Sequence, residues 1–285
     1  VVGTSFKDKG LELNSDNYFD TIRVKCNSQK VLKLGLEKGY NFWNYGDSVG
    51  ISFDETVENN IDKIGMLSKK SINILNNNLT EKNIAYLPSS VNTDAINISE
   101  NSLITKNIRI IFMGGYHPIR KGLKDIVSMA PSIIEHNSNI KFFFSGSQTV
   151  KGMTNSLIKK YPTNFSFIGW IPEDSKFSLL KSMDIFILPS YNEGLPYAIV
   201  EAMACGLVIL AYDVGGISEI IKEGHNGFIT PIGDKTSFKK NLINISNNRK
   251  KVKEISINNF EKAETELSLN TVLNKIDKIY FNLYE

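Results

Sequence analysis

The chain has little cysteine, no long apolar run and little net charge. Its 285 residues include two cysteines, Cys26 and Cys205, which lie far apart and lack metal-ligand spacing. Nothing therefore indicates a disulfide framework, and a reducing, cytoplasmic compartment is the default expectation. No apolar stretch of the sequence is long enough to span a bilayer.

The formal net charge of +3 is too weak to predict a nucleic-acid partner. It suits a protein that meets phosphorylated ligands or an anionic membrane surface. The composition, 41% hydrophobic and 22% charged, is that of a globular protein that can bury a core. We also find no Gly-x-Gly-x-x-Gly after a predicted strand with an acid about 20 residues further on, which argues against a dinucleotide-dependent dehydrogenase.

From about residue 108 onward, short apolar runs alternate with helical segments. This alternation predicts βαβ units, a mostly parallel sheet and an α/β fold. The polar stretch over 89–106 predicts a linker between two lobes, and an apolar stripe over 272–283 predicts a packed helix. The predicted strands are 108–113, 141–144, 165–168, 184–188 and 207–211, and predicted helices include 68–78, 121–136 and 175–183.

The first notable strand end contains Gly114-Gly115 and then the basic pair Arg120-Lys121. Two glycines let the backbone approach a ligand closely. Cations are disfavoured at a helix N-terminus, so their position there is understandable if an anion lies between them and the helix. The alternative is a solvated basic turn.

The second strand end places Glu193 and Glu201 on either side of a Gly-Leu-Pro corner. A helix that starts near Pro196 offers free backbone N–H groups to a phosphate. Eight residues of helix rise ~12 Å, close to the length of a sugar joined through a diphosphate to a ribose. One carboxylate would then accept sugar hydroxyls and the other ribose hydroxyls. The alternatives are a helix-capping role for Glu193 and a buried ion pair for Glu201.

The third strand end, over 213–219, again combines a glycine pair with a helix start. Glu219 is interpreted there as an acid that caps its own helix.

These stretches carry a family resemblance. The segments "FIGWIPEDSKFSLLKSMDIFILPSYNEGLPYAIVEAMACGLVILAYDVGGISEIIKEGHNGFITPIGD" and "IIFMGGYHPIRKGLKDIV", and more weakly "KNIAYLPSSVNTDAI", resemble the retaining glycosyltransferases of family 4. The resemblance covers roughly residues 84 to 240. It implies a GT-B type fold with two Rossmann-like lobes and a nucleotide-sugar donor, UDP- or GDP-linked, in the C-terminal lobe.

The resemblance also implies roles for single residues. Glu193 matches the acid that contacts the donor sugar, Glu201 the acid that holds the ribose, and Lys121 the lysine that neutralises the diphosphate. The implied donor-binding residues are Gly115, Lys121, Trp170, Ile171, Glu193, Gly194, Leu195, Pro196 and Glu201, and the implied catalytic residues are Glu193, Lys121 and Arg120.

The family needs no metal or other cofactor, and the sequence contains no Asp-x-Asp cation motif. Cationic side chains and helix dipoles would stabilise the leaving diphosphate instead. The implied partners are the nucleotide sugar and a glycan or lipid-linked acceptor. The resemblance also allows peripheral contact with the inner face of a membrane.

The sequence departs from the family at three places. The Gly146-Ser147-Gln148 turn keeps only part of the family's Gly-rich turn. Tyr116 stands five positions before Lys121, where the family usually has an arginine, and Arg120 is the candidate to compensate. The N-terminal lobe is shorter than the family's, so we expect either a reduced lobe or a chain that has lost its beginning. The domain prediction is a partial acceptor-side lobe over 1–100, a donor lobe over 101–265, and a C-terminal helix over 266–285 that packs back toward the N-terminal lobe.

Three functions stay open from the sequence. The first is a metal-independent retaining glycosyltransferase of the hexosyltransferase type, acting in polysaccharide biosynthesis. The second is a nucleotide-sugar-binding protein of the same fold without turnover. The third is a nucleotide-sugar epimerase of the GT-B type.

Overall fold

A computed structural model describes most of the C-terminal two thirds of the chain and parts of the rest. The described residues are 64–70, 72, 84–94, 96 and 107–284, together with four short strands nearer the N-terminus. The strands of this first part are β1 Val2–Gly3, β2 Thr21–Ile22, β3 Phe42–Tyr45, β4 Ser48–Ile51, β5 Ile64–Met66 and β6 Ile84–Tyr86.

These first strands form two small sheets. One has the order β2-β1-β4-β3, in which β1 and β4 are parallel and β3 and β4 form an antiparallel pair. The other pairs β5 and β6 in parallel. After β5, Lys69, Lys70 and Ile72 are helical, and the remainder of the helix predicted over 68–78 lies outside the described residues.

The second part contains a six-stranded parallel sheet with the order β12-β11-β10-β7-β8-β9. The change of direction from β7 to β10 is the switch point of a doubly wound sheet, where ligands usually bind. The strands are β7 Ile108–Met113, β8 Ile140–Ser145, β9 Phe165–Gly169, β10 Ile185–Leu188, β11 Val208–Tyr212 and β12 Gly227–Thr230.

Eight helices accompany these strands among the described residues. They are α1 Leu123–His136, α2 Gln148–Lys160, α3 Glu173–Lys181, α4 Tyr197–Ala204, α5 Ile217–Ile220, α6 Lys235–Ser246, α7 Arg249–Glu266 and α8 Leu269–Tyr284. None of the helices in the described part of the chain combines the length and hydropathy needed to cross a membrane.

Both faces of the large sheet are buried. In β10, Ile185 and Ile187 join one hydrophobic cluster with α1, α2 and α6, whereas Phe186 and Leu188 join a second cluster with α4 and α5. Successive side chains of a strand point to opposite faces, so helices must cover both sides of the sheet. The continuous apolar runs in the sequence follow from this arrangement, and the predicted α/β fold is confirmed.

Two helix starts differ from the prediction. Helix α1 begins at Leu123, two residues later than expected, because Gly122 adopts a left-handed backbone with a φ of +80°. Arg120 and Lys121 therefore lie in the turn before α1 and not in its first turn. Helix α3 begins earlier than expected, at Glu173, where Glu173 and Asp174 place acidic charge in the first turn.

The predicted linker begins as a packed segment. Ser89 is buried, and the N–H of Val91 donates to the Leu267 carbonyl at 3.0 Å. The Leu269 N–H donates back to the Val91 carbonyl at 2.8 Å. The chain just before α8 is thus tied to the segment that follows β6. In α8 itself Val272 is buried, whereas Leu273 is 44% exposed, so the predicted apolar stripe is only partly covered.

Candidate donor-binding site

The three strand ends that the sequence singled out lie side by side. Strand β10 is hydrogen-bonded to β11 on one side and to β7 on the other. Because all three strands are parallel, the loops over 114–122, 189–196 and 213–216 leave the same edge of the sheet. The fold therefore brings most of the predicted donor-binding residues to one place.

Two glycines allow these loops to touch. A Cβ on Gly122 would lie 1.8 Å from the Pro189 carbonyl oxygen, and one on Gly215 would lie 2.1 Å from the Glu193 carbonyl oxygen. Both glycines have positive φ, a conformation in which side chains are strained. Any larger residue at either position would push the central loop out of place.

Arg120 connects the first loop to the second. Its carbonyl accepts hydrogen bonds from the Tyr191 N–H at 2.9 Å and from the Ser190 hydroxyl at 3.2 Å. Its guanidinium donates to the Asn192 carbonyl and lies 3.6 Å from Glu193 Oε1. The basic turn and the acidic loop are thus in direct contact.

Lys121 is a half-buried cation whose charge interacts with those of two acids. Its Nζ donates to the Met113 carbonyl at 3.3 Å, and it forms no ion pair within 4 Å among the described residues. Burial lowers the pKa of Lys121, and the charge of Arg120 lowers it further, whereas Glu193 and Glu201 raise it. Both carboxylates are therefore close enough to act on this ammonium, yet they do not neutralise it by direct contact.

Glu193 does not cap the helix that follows it. Helix α4 has Pro196 at its N-cap and no capping side chain. The Glu193 carboxylate instead accepts a hydrogen bond from the Ser190 hydroxyl at 3.0 Å and faces Arg120. Its side chain is only 11% exposed, so the carboxylate is held at the corner of the loop.

Glu201 forms the ion pair that the sequence offered as its alternative role. Lys176, on α3, donates to Glu201 Oε1 at 2.7 Å and to Glu173 at 2.6 Å. Burial lowers the pKa of Lys176, but these two hydrogen bonds outweigh it, so the pKa lies above its ordinary value. Sequence reasoning missed Lys176; its spacing of three residues from Glu173 was the only signal.

The corner between the two acids is fixed by contacts from both sides. The Gly194 carbonyl accepts from the Gly216 N–H at 2.7 Å, and the Leu195 carbonyl accepts from the Ser89 hydroxyl at 2.7 Å. Leu195 is buried in the second hydrophobic cluster. Pro196 then leads into α4, whose first N–H groups have no side-chain cap.

A buried carboxylate that the sequence did not indicate anchors the same loop. Asp125, on α1, accepts from the Tyr191 hydroxyl at 2.7 Å and from the Tyr212 hydroxyl at 2.9 Å. The hydrogen bond to Asp125 raises the pKa of Tyr191 to about 12, with smaller contributions from burial and from the charge of Asp125. The phenol therefore stays protonated and keeps donating.

Trp170 and Ile171 follow β9, two strands away from β7. Trp170 is 55% exposed and packs on Tyr116, which is 76% exposed, with a ring-centroid distance of 4.8 Å. Ile171 is partly buried against the second cluster. Gly115 lies at the start of the loop after β7, where an added Cβ would lie 3.9 Å from Lys121 Nζ.

Glu219 caps a different helix from the one predicted. Its carboxylate accepts from the backbone N–H groups of Lys69 and Lys70, each at 2.8 Å. The Lys70 ammonium also pairs with Asp213 at 2.9 Å. The third strand end therefore binds the start of the helical segment after β5. This contact was invisible in sequence because the partners are about 150 residues apart.

Comparison with known proteins identifies the family to which this chain belongs. Residues 94–262, more than half of the chain, match the family "Glycosyl transferases group 1", so this chain belongs to that family of glycosyltransferases. The match includes every predicted donor-binding residue. Together with the parallel-sheet architecture and the structural neighbours, it confirms the prediction of a GT-B type fold.

Individual relatives are distant. The chain is 21% identical over 168 residues to the phosphatidyl-myo-inositol mannosyltransferase of Mycobacterium leprae, covering 57% of this chain and 44% of the relative. It resembles the sucrose-phosphate synthase structure from Thermosynechococcus elongatus with a TM-score of 0.67 and 16% identity, covering 81% of this chain and 62% of the other.

A third likeness is to the Anabaena protein HepE in complex with UDP. The TM-score is 0.65 at 17% identity, and the match covers 78% of this chain and 64% of that one. The chain thus spans less than two thirds of the length of each of these three proteins.

Proposed function

We propose that this chain belongs to a retaining, metal-independent glycosyltransferase of family 4 that moves a sugar from a nucleotide-diphosphate sugar to a glycan or lipid-linked acceptor. One observation carries the proposal: at the carboxyl edge of the parallel sheet, the half-buried Lys121 ammonium donates to the Met113 carbonyl at 3.3 Å and forms no ion pair among the described residues, while the adjacent Arg120 lies 3.6 Å from Glu193 Oε1. A ligand with a negative charge in its middle and hydroxyl groups at both ends complements these cations and the two carboxylates, Glu193 and Glu201.

The two ion pairs are compatible with donor binding. Arg120 and Ser190 approach Glu193 through Oε1, and Lys176 approaches Glu201 through Oε1. Among the described residues, no hydrogen bond or ion pair involves the Oε2 atom of either acid. A carboxylate offers about four acceptor sites over its two oxygens, so each acid can be held by a cation and still accept hydroxyls.

The donor would lie along the loop in a fixed order. Its sugar meets Glu193, its diphosphate meets Lys121 and the N-terminus of α4, and its ribose meets Glu201. Arg120 and Lys121 supply two positive charges where the leaving diphosphate develops negative charge, which is the role a metal ion would otherwise have. The acceptor would attack on the face from which the diphosphate leaves, so that the anomeric configuration is retained.

The relatives guide the choice of substrates. HepE was crystallised with UDP, and the name of the mycobacterial relative specifies a phosphatidylinositol acceptor. We therefore propose a UDP- or GDP-linked donor, with a glycan or lipid-linked acceptor. Cytoplasmic location, with peripheral contact at the inner face of a membrane, would suit such an acceptor.

The first test measures donor binding. A thermal-shift panel of nucleotide sugars identifies the donor, because a ligand that binds only the folded state raises the melting temperature. By calorimetry, Glu201→Gln should weaken binding of the matching nucleotide by about 1–3 kcal/mol, as expected for a hydrogen bond to a charged group. Glu254→Gln is the control, since Glu254 forms an exposed ion pair on α7. Unchanged affinity in Glu201→Gln would reject the ribose role.

The second test follows the sugar. Glu193→Gln should reduce sugar transfer more than it reduces nucleotide affinity, because Glu193 contacts only the sugar. Product NMR should show the anomeric configuration of the donor, and activity should persist in EDTA. Binding without donor hydrolysis or transfer would instead indicate a nucleotide-sugar-binding protein, and interconversion of free nucleotide sugars would indicate an epimerase.

A further inference from the structure

Two segments from the first part of the chain contact the corner between the two acids of the candidate site. The Ser89 hydroxyl, in the segment after β6, donates to the Leu195 carbonyl at 2.7 Å. Ser68, after β5, lies against Gly216, and the Gly216 N–H donates to the Gly194 carbonyl at 2.7 Å. Both serines are buried, and the parallel pairing of β5 and β6 brings their segments to the same edge of that small sheet. The corner is therefore supported from outside the part of the chain that carries the predicted donor-binding residues.

Gly216 is required by this contact and not by its backbone conformation. Its φ is −85°, which any residue can adopt, but a Cβ there would lie 2.8 Å from Ser68 Cβ. The Gly194 carbonyl oxygen would lie 3.5 Å from that Cβ, an ordinary van der Waals distance. Gly215 differs, because its φ is +56° and its Cβ would meet the Glu193 carbonyl oxygen at 2.1 Å. Of these two adjacent glycines, one fits the acidic loop and the other fits the segment after β5.

Glu219 links the same segment to α5. Its Oε2 accepts from the Lys69 N–H and its Oε1 from the Lys70 N–H, each at 2.8 Å. The first N–H groups of a helical segment have no partner within the helix, and a carboxylate there also interacts favourably with the helix dipole. Leu67 and Leu195 lie in the same hydrophobic cluster as the buried apolar residues of α5. The segment after β5, helix α5 and the acidic corner therefore share one core.

We propose that Ser68, Ser89 and Glu219 are positioning residues of the donor site, which hold the corner in place without touching the donor. The proposal rests on the proposed function, in which Glu193 and the N-terminus of α4 lie on either side of the corner and bind the sugar and the diphosphate. Movement of the corner would shift both groups relative to Lys121. A ligand binds more tightly to a site that is already arranged, and a displacement of about 1 Å is enough to weaken binding.

The main test is a rescue experiment, measured by calorimetry with UDP and GDP. Gly216→Ala should weaken nucleotide binding about tenfold, because the added Cβ and Ser68 cannot both keep their places. Adding Ser68→Gly removes the opposing Cβ and should restore the affinity to that of Ser68→Gly alone. Gly215→Ala is the matched control. It displaces the acidic loop directly, so its loss of affinity should not be restored by Ser68→Gly.

Variants at Glu219 separate positioning from stability. Glu219→Ala removes both contacts to the helical segment, whereas Glu219→Gln keeps one oxygen as an acceptor, so affinity should fall further in Glu219→Ala. Urea denaturation measures the stability of the same proteins. A purely structural role would lower stability and leave the nucleotide affinity of the folded protein unchanged. Lys70→Met is the control and should keep full affinity, because it loses only an exposed ion pair with Asp213 and retains the N–H that Glu219 binds.

Ser89→Ala tests the second segment with a small change. It removes one hydrogen bond to the Leu195 carbonyl and should weaken nucleotide binding by less than Gly216→Ala does. Full nucleotide affinity in Gly216→Ala, Glu219→Ala or Ser89→Ala would overturn the proposal, as would a loss in Gly216→Ala that Ser68→Gly does not restore. Failure of the unmodified chain to bind UDP and GDP would instead reject the proposed function.

Discussion

The two ends of strand β10 handle buried charge in opposite ways. At the amino end, Asp184 is fully buried and surrounded by donors. Its carboxylate accepts from the Arg109 N–H at 2.7 Å, the Arg109 Nε at 3.2 Å and the Arg249 guanidinium at 3.1 Å. At the carboxyl end, Lys121 has one carbonyl at 3.3 Å, and two acids act on it without forming an ion pair with it.

This difference indicates that Asp184 stabilises the fold, whereas Lys121 is available to bind a ligand. The buried Asp184 carboxylate ties β7, β10 and α7 together. Both of its oxygens already accept hydrogen bonds, so it offers no binding site to a ligand. Lys121 has lost part of its hydration without gaining an ion pair, so it can interact strongly with an anion that binds there. Charged residues near the two ends of one strand thus serve different purposes, according to how completely their partners satisfy them.

The largest effect is expected on stability, from a substitution at the amino end of β10. Asp184→Ala removes one partner of a buried network and should lower the free energy of unfolding by about 3–5 kcal/mol. Urea denaturation measures this change. Glu254→Ala is the matched control, because its exposed pair with Lys251 is worth roughly 0–1 kcal/mol. An Asp184→Ala protein as stable as the control would show that the comparison is wrong.

At the carboxyl end of β10, a substitution is expected to reduce nucleotide affinity. Lys121→Met should weaken UDP or GDP binding by about 1–3 kcal/mol, because a charge-assisted contact to the diphosphate is lost. The free energy of unfolding should not fall, since the substitution removes a half-buried cation that has no ion-pair partner among the described residues. Lys124→Met, at an exposed position one turn away, should change neither quantity. A loss of stability similar to that of Asp184→Ala would make Lys121 a structural charge as well.

The pH dependence of binding sharpens the assignment. Burial and Arg120 lower the pKa of Lys121, partly offset by Glu193 and Glu201, so the folded protein releases this proton at a lower pH than an ordinary lysine does. A bound diphosphate favours the protonated form. Nucleotide affinity should therefore fall as the pH rises through the lowered pKa of Lys121, by no more than the loss in Lys121→Met.

Lys121→Arg is the control for this pH dependence. A guanidinium stays protonated over the whole range, so the decline in affinity should disappear in that variant. Calorimetry at several pH values gives the comparison. The same lowered pKa predicts that the stability of the unmodified protein rises with pH between the folded-state pKa and that of an ordinary lysine. Identical pH profiles for the two proteins would contradict the assignment.

The smallest effect is expected from the tyrosine that anchors the acidic loop. Tyr191→Phe removes one donor to Asp125 but keeps the ring contact with Tyr212, whose centroid is 5.9 Å away. Stability should fall by about 1 kcal/mol, the usual net value of one hydrogen bond. Tyr116→Phe, which alters an exposed ring, should have no effect in the same denaturation assay. A loss of several kcal/mol would show that this hydrogen bond supports the fold as strongly as the Asp184 network does.

Much of the fold could be predicted because local patterns report it. Apolar runs such as 108–113 and 184–188 indicated strands buried on both faces, and the helical segments between them implied a parallel sheet. The helix boundaries were less accurate, since the left-handed Gly122 delays α1 and the acids at Glu173 and Asp174 start α3 early. Backbone conformation at a single glycine cannot be read from periodicity.

The sequence by itself determined which residues follow the strands: the glycine turns, the basic pair at Arg120 and the two acids around Pro196. Only the tertiary structure decided their partners. Lys176 reaches Glu201, Asp125 holds Tyr191, and Glu219 caps a helix about 150 residues earlier in the chain. Such contacts depend on strand order and on which side of a helix faces the sheet. Both are properties of the packed molecule, since distant segments become neighbours only when the core forms.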